Sequence, residues 1–325
     1  MRAVRCLRSR RAKRGQSILT SVRKTLLVAA DVDRSLYKRA EADGRFDVVQ
    51  RPVRTEGELA AIVGDAHVLV TRAYNKVTRR VIDGAPHLEL IAQGTSGIDN
   101  IDLDAARERG IAVIHMPGVN ANAVAELVIG FMISMTRTVP FYTREVVRGT
   151  FSRDDCATRH ELRHFRLGIV GLGQVGTLVA KLAGAFGMRV QAYDPYVSVA
   201  RVATLDELLQ TSDILTLHVP LTEETRTMIG ASELRMLARG SYVINASRGE
   251  VLDQQAALTA LAENHLAGLA LDVFDPEPPD TPLPDDPRLI LTPHIAGCSY
   301  EVKSTVGGRL FERISAFYEA RLGVQ

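Results

Sequence analysis

One stretch of the chain, from Leu167 to Asp194, restricts the possible folds more than any other. It opens with a short apolar run of the kind that forms a buried parallel strand. Gly171, Gly173 and Gly176 follow at the G-x-G-x-x-G spacing, and apolar residues then recur at helical spacing. A second apolar run ends near the acid that closes the stretch. This order predicts a strand, a glycine turn, a helix and a second strand ending in a carboxylate.

Each part of this stretch suits a dinucleotide. The first glycine allows a tight turn, the second lets a pyrophosphate approach the backbone, and the third lets the helix pack close to the strand. The start of the helix offers unpaired N–H groups and a partial positive charge to the phosphates. Asp194 can accept hydrogen bonds from the adenosine ribose and would repel a 2′-phosphate. The stretch therefore favours NAD over NADP, although a glycine turn alone also occurs where nothing binds.

Apolar strands and helices alternate over the rest of the chain, which predicts an α/β fold with parallel sheets and right-handed crossovers. A long helix is predicted over residues 122–138. It is apolar on most faces, so we expect it to be buried between domains or subunits, and its length and charged residues argue against a membrane span. The following segment, 139–165, contains Pro140 and many charges and is predicted to be an irregular connector.

Polar residues lie at or just beyond the ends of five predicted strands. They are Asp194, His218, Arg248, Asp272 and His294. In open parallel sheets, ligands bind beyond the carboxyl ends of the strands. We therefore expect these side chains to share one crevice with the dinucleotide.

Some of these side chains match hydride transfer between a nicotinamide and a 2-oxo acid. His294 has a reference pKa of about 6.5 and can donate a proton to the carbonyl oxygen. Glu277, 17 residues earlier, could favour its charged form. Arg248 offers paired donors to a carboxylate, and Asp272 could hold a ribose hydroxyl or the nicotinamide end. Plainer interpretations stay open: a strand cap for the histidine, and exposed loop positions for the arginine and the glutamate.

Five motifs in this order resemble those of the D-isomer-specific 2-hydroxyacid dehydrogenases. They are GTSGIDNID (94–102), GLGQVG (171–176) followed by Asp194, NASRGEVLD (245–253), LDVFDPEP (271–278) and TPHIAG (292–297). The resemblance extends from about residue 25 to residue 322. It implies that Arg248, Glu277 and His294 are the catalytic residues. It also implies a reaction that interconverts a D-2-hydroxy acid and its 2-oxo acid with NAD.

The same resemblance implies which other residues meet NAD and the substrate. The candidate cofactor-binding residues are Gly171, Gly173, Gln174, Val175, Gly176, Asp194, His218, Pro220, Thr225, Ala246, Asp272 and Gly297. Ser96 and Gly97 would offer backbone N–H groups to the substrate carboxylate, beside Arg248 and His294. Arg72 lies where phosphoglycerate enzymes of the family place a substrate-binding arginine. The chain looks closest to those enzymes and next to the hydroxypyruvate and glyoxylate reductases, so 3-phosphoglycerate, hydroxypyruvate and glyoxylate are the expected substrates.

The family's architecture gives an expected domain organisation. A substrate domain would be built from residues 25–121 and 293–325, with the NAD-binding domain, 122–292, inserted between them. Family members are typically dimers, and the expected pairing region is 122–165. The partners expected are therefore a small 2-hydroxy or 2-oxo acid and a second copy of the chain.

Charge is distributed unevenly along the chain. Residues 1–24 contain nine Lys or Arg and no acid, so the remainder carries 31 basic and 38 acidic residues, a net charge of −7. We interpret residues 1–24 as a disordered basic arm, with an organelle transit segment, an upstream start codon or a nucleic-acid-binding arm as alternatives. The mildly acidic remainder gives no sign of a nucleic-acid or membrane surface.

The cysteines and histidines point to no metal or disulfide framework. Cys6, Cys156 and Cys298 are far apart and odd in number, which favours a reducing, cytoplasmic setting. No His, Cys and Asp residues have metal-ligand spacing, so no metal is predicted. One other class of function stays open, an NAD-sensing interaction protein similar to the family's transcriptional corepressors, suggested by the basic arm and the shared fold.

Overall fold

The computed structural model describes residues 23–151, 158–197 and 204–322. They form two parallel β-sheets, one of five strands and one of six, connected by helices. The predicted α/β fold with parallel sheets is thereby confirmed. Cys6, Cys156 and the basic arm up to residue 22 lie outside the described residues.

The first sheet is built from the N-terminal part of the chain. Its strands are β1 (Lys24–Val28), β2 (Phe46–Gln50), β3 (Val68–Thr71), β4 (Leu90–Gln93) and β5 (Ala112–Ile114), and its helices are α1 (Arg34–Asp43), α2 (Glu56–Ile62), α3 (Arg79–Asp83) and α4 (Leu103–Glu108). The strand order is β2-β1-β3-β4-β5. Leu26 and Val28 belong to one hydrophobic cluster and Leu27 to another. Because successive side chains of a strand point to opposite faces, the sheet is covered on both sides.

The start of β1 differs from the sequence expectation. Lys24 was assigned to the basic arm, but it is the first residue of β1, and its Nζ forms an ion pair with Glu89 at 2.5 Å. The Arg23 guanidinium likewise pairs with Asp47 at 3.0 Å. The positive charges of residues 23 and 24 therefore have acidic partners within the first sheet.

The second sheet follows in the chain and has the order β11-β10-β9-β8-β6-β7. Its strands are β6 (Arg166–Val170), β7 (Arg189–Tyr193), β8 (Ile214–Leu217), β9 (Ser241–Asn245), β10 (Leu266–Leu271) and β11 (Leu289–Leu291). The helices from α5 onward are α5 (Ala121–Thr136), α6 (Val139–Val147), α7 (Gln174–Ala185), α8 (Leu205–Thr211), α9 (Ala231–Met236), α10 (Gln254–Ala262) and α11 (Tyr300–Leu322). The last of these returns to the first sheet, where it packs against α1 and β4.

The long apolar helix and its connector are only partly as expected. Helix α5 ends at Thr136, two residues early, because Thr138 adopts a left-handed backbone with φ of 51°. The prediction of an irregular connector is wrong for residues 139–147, which form α6. Pro140 lies in the first turn of that helix, where a missing N–H costs no hydrogen bond. Proline thus starts a helix here.

Helices α5 and α6 meet at an angle of 63°. No single helix in the described parts of the chain is long and apolar enough to cross a membrane; only these two, taken together across their bend, reach the required length and composition.

Candidate active site

The carboxyl ends of the second sheet's strands are level with one another. Val170 pairs with Tyr193 on one side and with Leu217 on the other. Towards the other edge of the same sheet, Leu271 of β10 pairs with Asn245 of β9 and with Leu291 of β11. The residues that follow these strand ends therefore share one edge; they are Gly171, Asp194, His218, Ala246, Asp272 and Thr292.

The glycine turn between β6 and α7 excludes side chains at two of its three glycines. Gly171 has φ of +92°, and a Cβ there would lie 2.6 Å from the backbone oxygen of His218. A Cβ on Gly176 would lie 2.0 Å from the oxygen of Gly171. At Gly173 a Cβ would meet nothing within 4 Å, so this glycine faces open space. The turn is therefore tight on its inner side and open where a pyrophosphate would approach.

Asp194 is fixed to the glycine turn by its side chain. One carboxylate oxygen accepts a hydrogen bond from the N–H of Leu172 at 2.7 Å, and the other accepts from the N–H of Tyr196 at 2.9 Å. The predicted acid thus lies beside the turn. Its second neighbour, Tyr196, donates its hydroxyl to Glu224 on the loop after β8.

The residues expected at the rim of the cofactor site lie on the loop after β8. Burial lowers the pKa of His218 to about 3, so this imidazole is neutral at ordinary pH. Its Nε2 lies 3.0 Å from the Thr216 hydroxyl. Thr225 donates its hydroxyl to the backbone oxygen of Pro220 at 2.7 Å, which folds the loop back on itself. A histidine that is neutral at ordinary pH is poorly suited to serve as the proton donor.

Asp272 is fully buried and holds the turn that carries His294. Its Oδ1 accepts from the Thr292 hydroxyl at 2.6 Å and from the N–H of Ile295 at 2.8 Å, and its Oδ2 accepts from the N–H of Ala296 at 2.9 Å. Both oxygens that were expected to face the cofactor thus already have protein donors. The contact this residue makes in the structure is with the histidine turn.

His294 and Glu277 form a hydrogen-bonded pair. The Nδ1 atom of His294 lies 2.6 Å from Oε1 of Glu277, and both side chains are about 40% exposed. The hydrogen bond to Glu277 raises the pKa of His294 against the opposing effect of burial. Burial alone would raise the pKa of Glu277, but the hydrogen bond and charge of His294 lower it overall. The raised pKa of His294 and the lowered pKa of Glu277 both favour an imidazolium beside a carboxylate.

Arg248 reaches from the second sheet to a loop of the first. Its Nε and Nη2 atoms lie 2.6 and 2.5 Å from one oxygen of Asp99, and its Nη1 donates to the backbone oxygen of Ser247. A Cβ on Gly97 would lie 2.0 Å from Nη2 of Arg248, so the guanidinium rests directly on this glycine. The charge of Arg248 also acts on the pKa values of both His294 and Glu277, which places it near that pair.

A network of buried side chains supports the loop that follows β4. Gln93 is fully buried; its amide nitrogen donates to the Thr95 hydroxyl, the Gly97 oxygen and Asn100 Oδ1, and its oxygen accepts from Thr71. Asn100 in turn donates to the backbone oxygens of Arg72 and Asn75 at 3.3 and 2.7 Å, linking the two predicted substrate loops. These amides were not identified from the sequence. A signal was present, since an amide amid apolar strand residues needs partners when buried.

The candidate substrate residues of the first sheet lie on these two loops. Within the described residues, the N–H groups of Ser96 and Gly97 donate to no protein atom, and the side chain of Arg72 has no acidic partner. The Arg72 stem lies beside Gly94, whose added Cβ would be 3.7 Å from Cγ of the arginine.

The structure thus brings most of the predicted residues together. Gln174 and Gly297 contact the segment between β5 and α5, where their neighbours are Gly118 and Asn120. In the described ranges no group of three or more His, Cys, Asp or Glu residues is placed to hold a metal ion. Asp99, which pairs with Arg248, is the charged residue of the site that the sequence interpretation missed.

The chain is similar in sequence to a family of known proteins. Residues 129–296 match the family model described as D-isomer specific 2-hydroxyacid dehydrogenase, NAD binding domain. The D-3-phosphoglycerate dehydrogenase of Methanocaldococcus jannaschii is 38% identical over 306 residues, which are 91% of this chain and 58% of that protein. The enzyme of the same name from Escherichia coli K12 is 39% identical over 261 residues, 77% of this chain and 63% of the relative. The chain therefore spans about three fifths of the length of these relatives.

Solved structures are similar to the chain over almost the whole of its fold. The TT0316 protein of Thermus thermophilus superposes with a TM-score of 0.82 at 32% identity, covering 91% of this chain and 97% of that one. The D-lactate dehydrogenase of Aquifex aeolicus, solved with NAD and lactic acid, has a TM-score of 0.81 at 29% identity, covering 92% and 96%.

The fold and the glycine turn, together with the matches to the family model and to solved structures, define a protein with the NAD-binding domain of a dehydrogenase. More specifically, the chain belongs to the family of D-isomer-specific 2-hydroxyacid dehydrogenases. The resemblance inferred from the motifs is confirmed, and so is the prediction of NAD as the cofactor.

Proposed function

We propose that the protein interconverts a D-2-hydroxy acid and its 2-oxo acid by hydride transfer. The observation that carries the proposal is the hydrogen-bonded pair of His294 and Glu277, with Arg248 nearby, at the ligand-binding edge of the second sheet. A proton donor, a group that tunes it and a cation for a carboxylate are what this chemistry requires besides the cofactor.

The residues present fit NAD. The glycine turn leaves the open face of Gly173 and the start of α7 to a pyrophosphate, and Asp194 is anchored beside the turn with its carboxylate able to accept further hydrogen bonds. When bound there, the nicotinamide would accept the hydride from a hydroxy acid or supply it to an oxo acid. The carboxylate of Asp194 supports a preference for NAD over NADP.

The proton would pass through Nε2 of His294. Glu277 occupies Nδ1, and no described residue bonds Nε2, so that nitrogen is available to the substrate oxygen. In reduction the imidazolium donates the proton to the carbonyl oxygen; in oxidation the neutral imidazole takes it from the hydroxyl. Glu277 stabilises the charged ring between these steps.

The substrate carboxylate would take the place that Asp99 holds against Arg248. Arg248 offers planar paired donors, and the free N–H groups of Ser96 and Gly97 lie on the same loop as Asp99. Binding would exchange an internal carboxylate for that of the substrate.

The proposal also names a particular substrate. The relatives named above are called D-3-phosphoglycerate dehydrogenases. The Arg72 side chain has no acidic partner among the described residues and could offer its cation to a phosphate. We therefore propose 3-phosphoglycerate first, with hydroxypyruvate or glyoxylate as smaller alternatives. Loss of turnover on phosphorylated but not on small substrates in Arg72→Ala would support the first choice.

The assembly of the protein is proposed on two observations. Helix α11 packs on the first sheet, which supports a substrate domain built from residues 25–121 and 293–325 around an NAD-binding domain, 122–292. Helix α6 is apolar yet has no buried residue, which supports a homodimer formed through the 122–165 region.

The experiment that tests the function is a panel of 2-oxo acids, each supplied with NADH and with NADPH. We expect NADH oxidation with 3-phosphohydroxypyruvate, hydroxypyruvate or glyoxylate, and little turnover with NADPH. His294→Ala should still bind NADH while losing about 10²- to 10⁴-fold in kcat, the usual contribution of a general acid. Absence of turnover on the whole panel would refute the proposal.

A further inference from the structure

Within the described residues, one side-chain hydrogen bond fixes the orientation of the peptide group between Ser96 and Gly97. Nδ1 of His115 lies 2.7 Å from the backbone oxygen of Ser96. Because a carbonyl oxygen only accepts, His115 must donate through Nδ1–H. A trans peptide is planar, and its C=O and N–H point in opposite directions. The hydrogen bond therefore aims the N–H of Gly97 away from His115.

Arg248 and Asp99 lie close to Gly97. A Cβ built on this glycine would be 2.0 Å from Nη2 of Arg248 and 3.1 Å from Oδ2 of Asp99. The N–H of Gly97 donates to no atom of the described residues. A donor without a protein acceptor, next to a guanidinium that holds a carboxylate, is available for the carboxylate of a substrate.

The other bonds of this loop do not act on the same peptide plane. The N–H of Gly118 donates to the Ser96 hydroxyl at 3.2 Å. Gln93 and Thr95 donate to the oxygen of Gly97, which belongs to the next peptide group. Among the described residues, only His115 bonds the carbonyl that shares its plane with the Gly97 N–H.

We propose that His115 is a positioning residue, which fixes the Ser96–Gly97 peptide so that the Gly97 N–H binds the substrate carboxylate opposite Arg248. This inference rests on the proposed function, because it assumes a 2-oxo acid at this place. His115 follows the last residue of β5, so the rigid first sheet sets the direction of the donor. Its role is in substrate affinity and does not extend to the proton or hydride.

Two substitutions at this position separate positioning from bulk packing. His115→Ala removes the donor. His115→Asn keeps one at the same place, since Nδ2 of asparagine and Nδ1 of histidine are each one bond beyond Cγ. His87→Ala is the matched control, because His87 is exposed before β4 and only stacks on His67.

The measurement is steady-state kinetics with the best 2-oxo acid, together with the Kd for NADH. For His115→Ala we expect KM to rise about tenfold, in line with the loss of one hydrogen bond, with kcat within about twofold and the NADH Kd unchanged. His115→Asn should restore KM to within about threefold of wild type, and His87→Ala should match wild type. An unchanged KM in His115→Ala, or equal losses in the alanine and asparagine variants, overturns the inference.

A binding experiment keeps the inference separate from the proposed function. Failure of the function appears as wild-type protein that turns over no 2-oxo acid, whereas failure of the inference leaves wild type active and His115→Ala unaltered. Oxalate, titrated into NADH-saturated protein, reports on the carboxylate site without turnover. We expect His115→Ala to bind oxalate about tenfold more weakly; equal affinities, or no binding of oxalate by wild type, overturn the positioning role.

Discussion

At the scale of single residues, the proposed proton transfer would depend on the pair of His294 and Glu277. The hydrogen bond from the histidine to Glu277 raises the pKa of His294. Reduction of a 2-oxo acid needs the imidazolium, so its rate should fall as pH rises through that raised pKa. Oxidation needs the neutral ring, so its rate should rise over the same interval.

Replacing the glutamate tests this coupling. In Glu277→Gln the charge that stabilises the imidazolium is gone, so the falling limb of reduction and the rising limb of oxidation should both move to lower pH. Profiles of kcat/KM against pH in both directions measure the shift, with Glu263→Gln, an exposed acid at the end of α10, as the control. Unmoved profiles would show that Glu277 does not set the protonation of His294.

The candidate residues His294, Glu277 and Arg248 could be identified from the sequence. The side chains that contact Arg248 and support the neighbouring loop could not. His294 and Arg248 follow predicted strands, and Glu277 lies in the motif 271–278, so position, residue type and the family resemblance together made them candidates. Asp99 meets Arg248 across 149 residues of chain. Gln93 lies within an apolar strand, where its bonds to the next loop depend on the path of that loop. Contacts of this kind appear only once the chain is folded.

At the scale of elements, the turn after β11 depends on one buried carboxylate. Asp272 accepts three hydrogen bonds from Thr292, Ile295 and Ala296, and these residues flank His294 on both sides. Asp272→Asn removes the charge and turns one acceptor into a donor facing an N–H or hydroxyl group. We expect a loss of about 1–3 kcal/mol in the free energy of unfolding.

The consequence should be seen in both stability and turnover. With a melting shift of roughly 2–4 °C per kcal/mol for a domain of this size, Tm should fall by several degrees, and kcat should fall because His294 is misplaced. Thermal denaturation and kinetics test this, with Asp280→Asn, an exposed acid of the preceding loop, as the control. If the variant keeps the wild-type Tm and kcat, the turn does not depend on Asp272.

The strands of the second sheet followed the sequence pattern closely, whereas the segment after α5 did not. Buried parallel strands are short apolar runs between glycines and acids, and β6, β9 and β11 lie where that pattern placed them. Helix α6 was missed because its proline and charges resemble a loop and none of its residues is buried in the chain.

At the scale of the whole molecule, one ion pair joins the two sheets beside the proposed substrate site. Arg248 belongs to the second sheet and Asp99 to the first, and both side chains are about one third exposed. A pair so open to water adds little to stability. The pair does bring the loop of Ser96 and Gly97 next to Arg248, so both sheets would contribute to the proposed carboxylate site.

The last prediction concerns how two such molecules would meet. Helix α6 exposes Val139, Phe141, Val146 and Val147, the last to 82%, and α5 next to it exposes Ile133. Large apolar side chains exposed together on neighbouring helices indicate an interaction surface. We therefore expect wild-type protein to sediment as a dimer at micromolar concentration and Val147→Asp to sediment as a monomer, because pairing would bury an unpaired carboxylate. Leu103→Asp, at the exposed start of α4 where an acid suits the helix dipole, should leave the dimer intact. A dimer that persists in Val147→Asp, or a wild type that is monomeric, would place the pairing surface elsewhere or remove it.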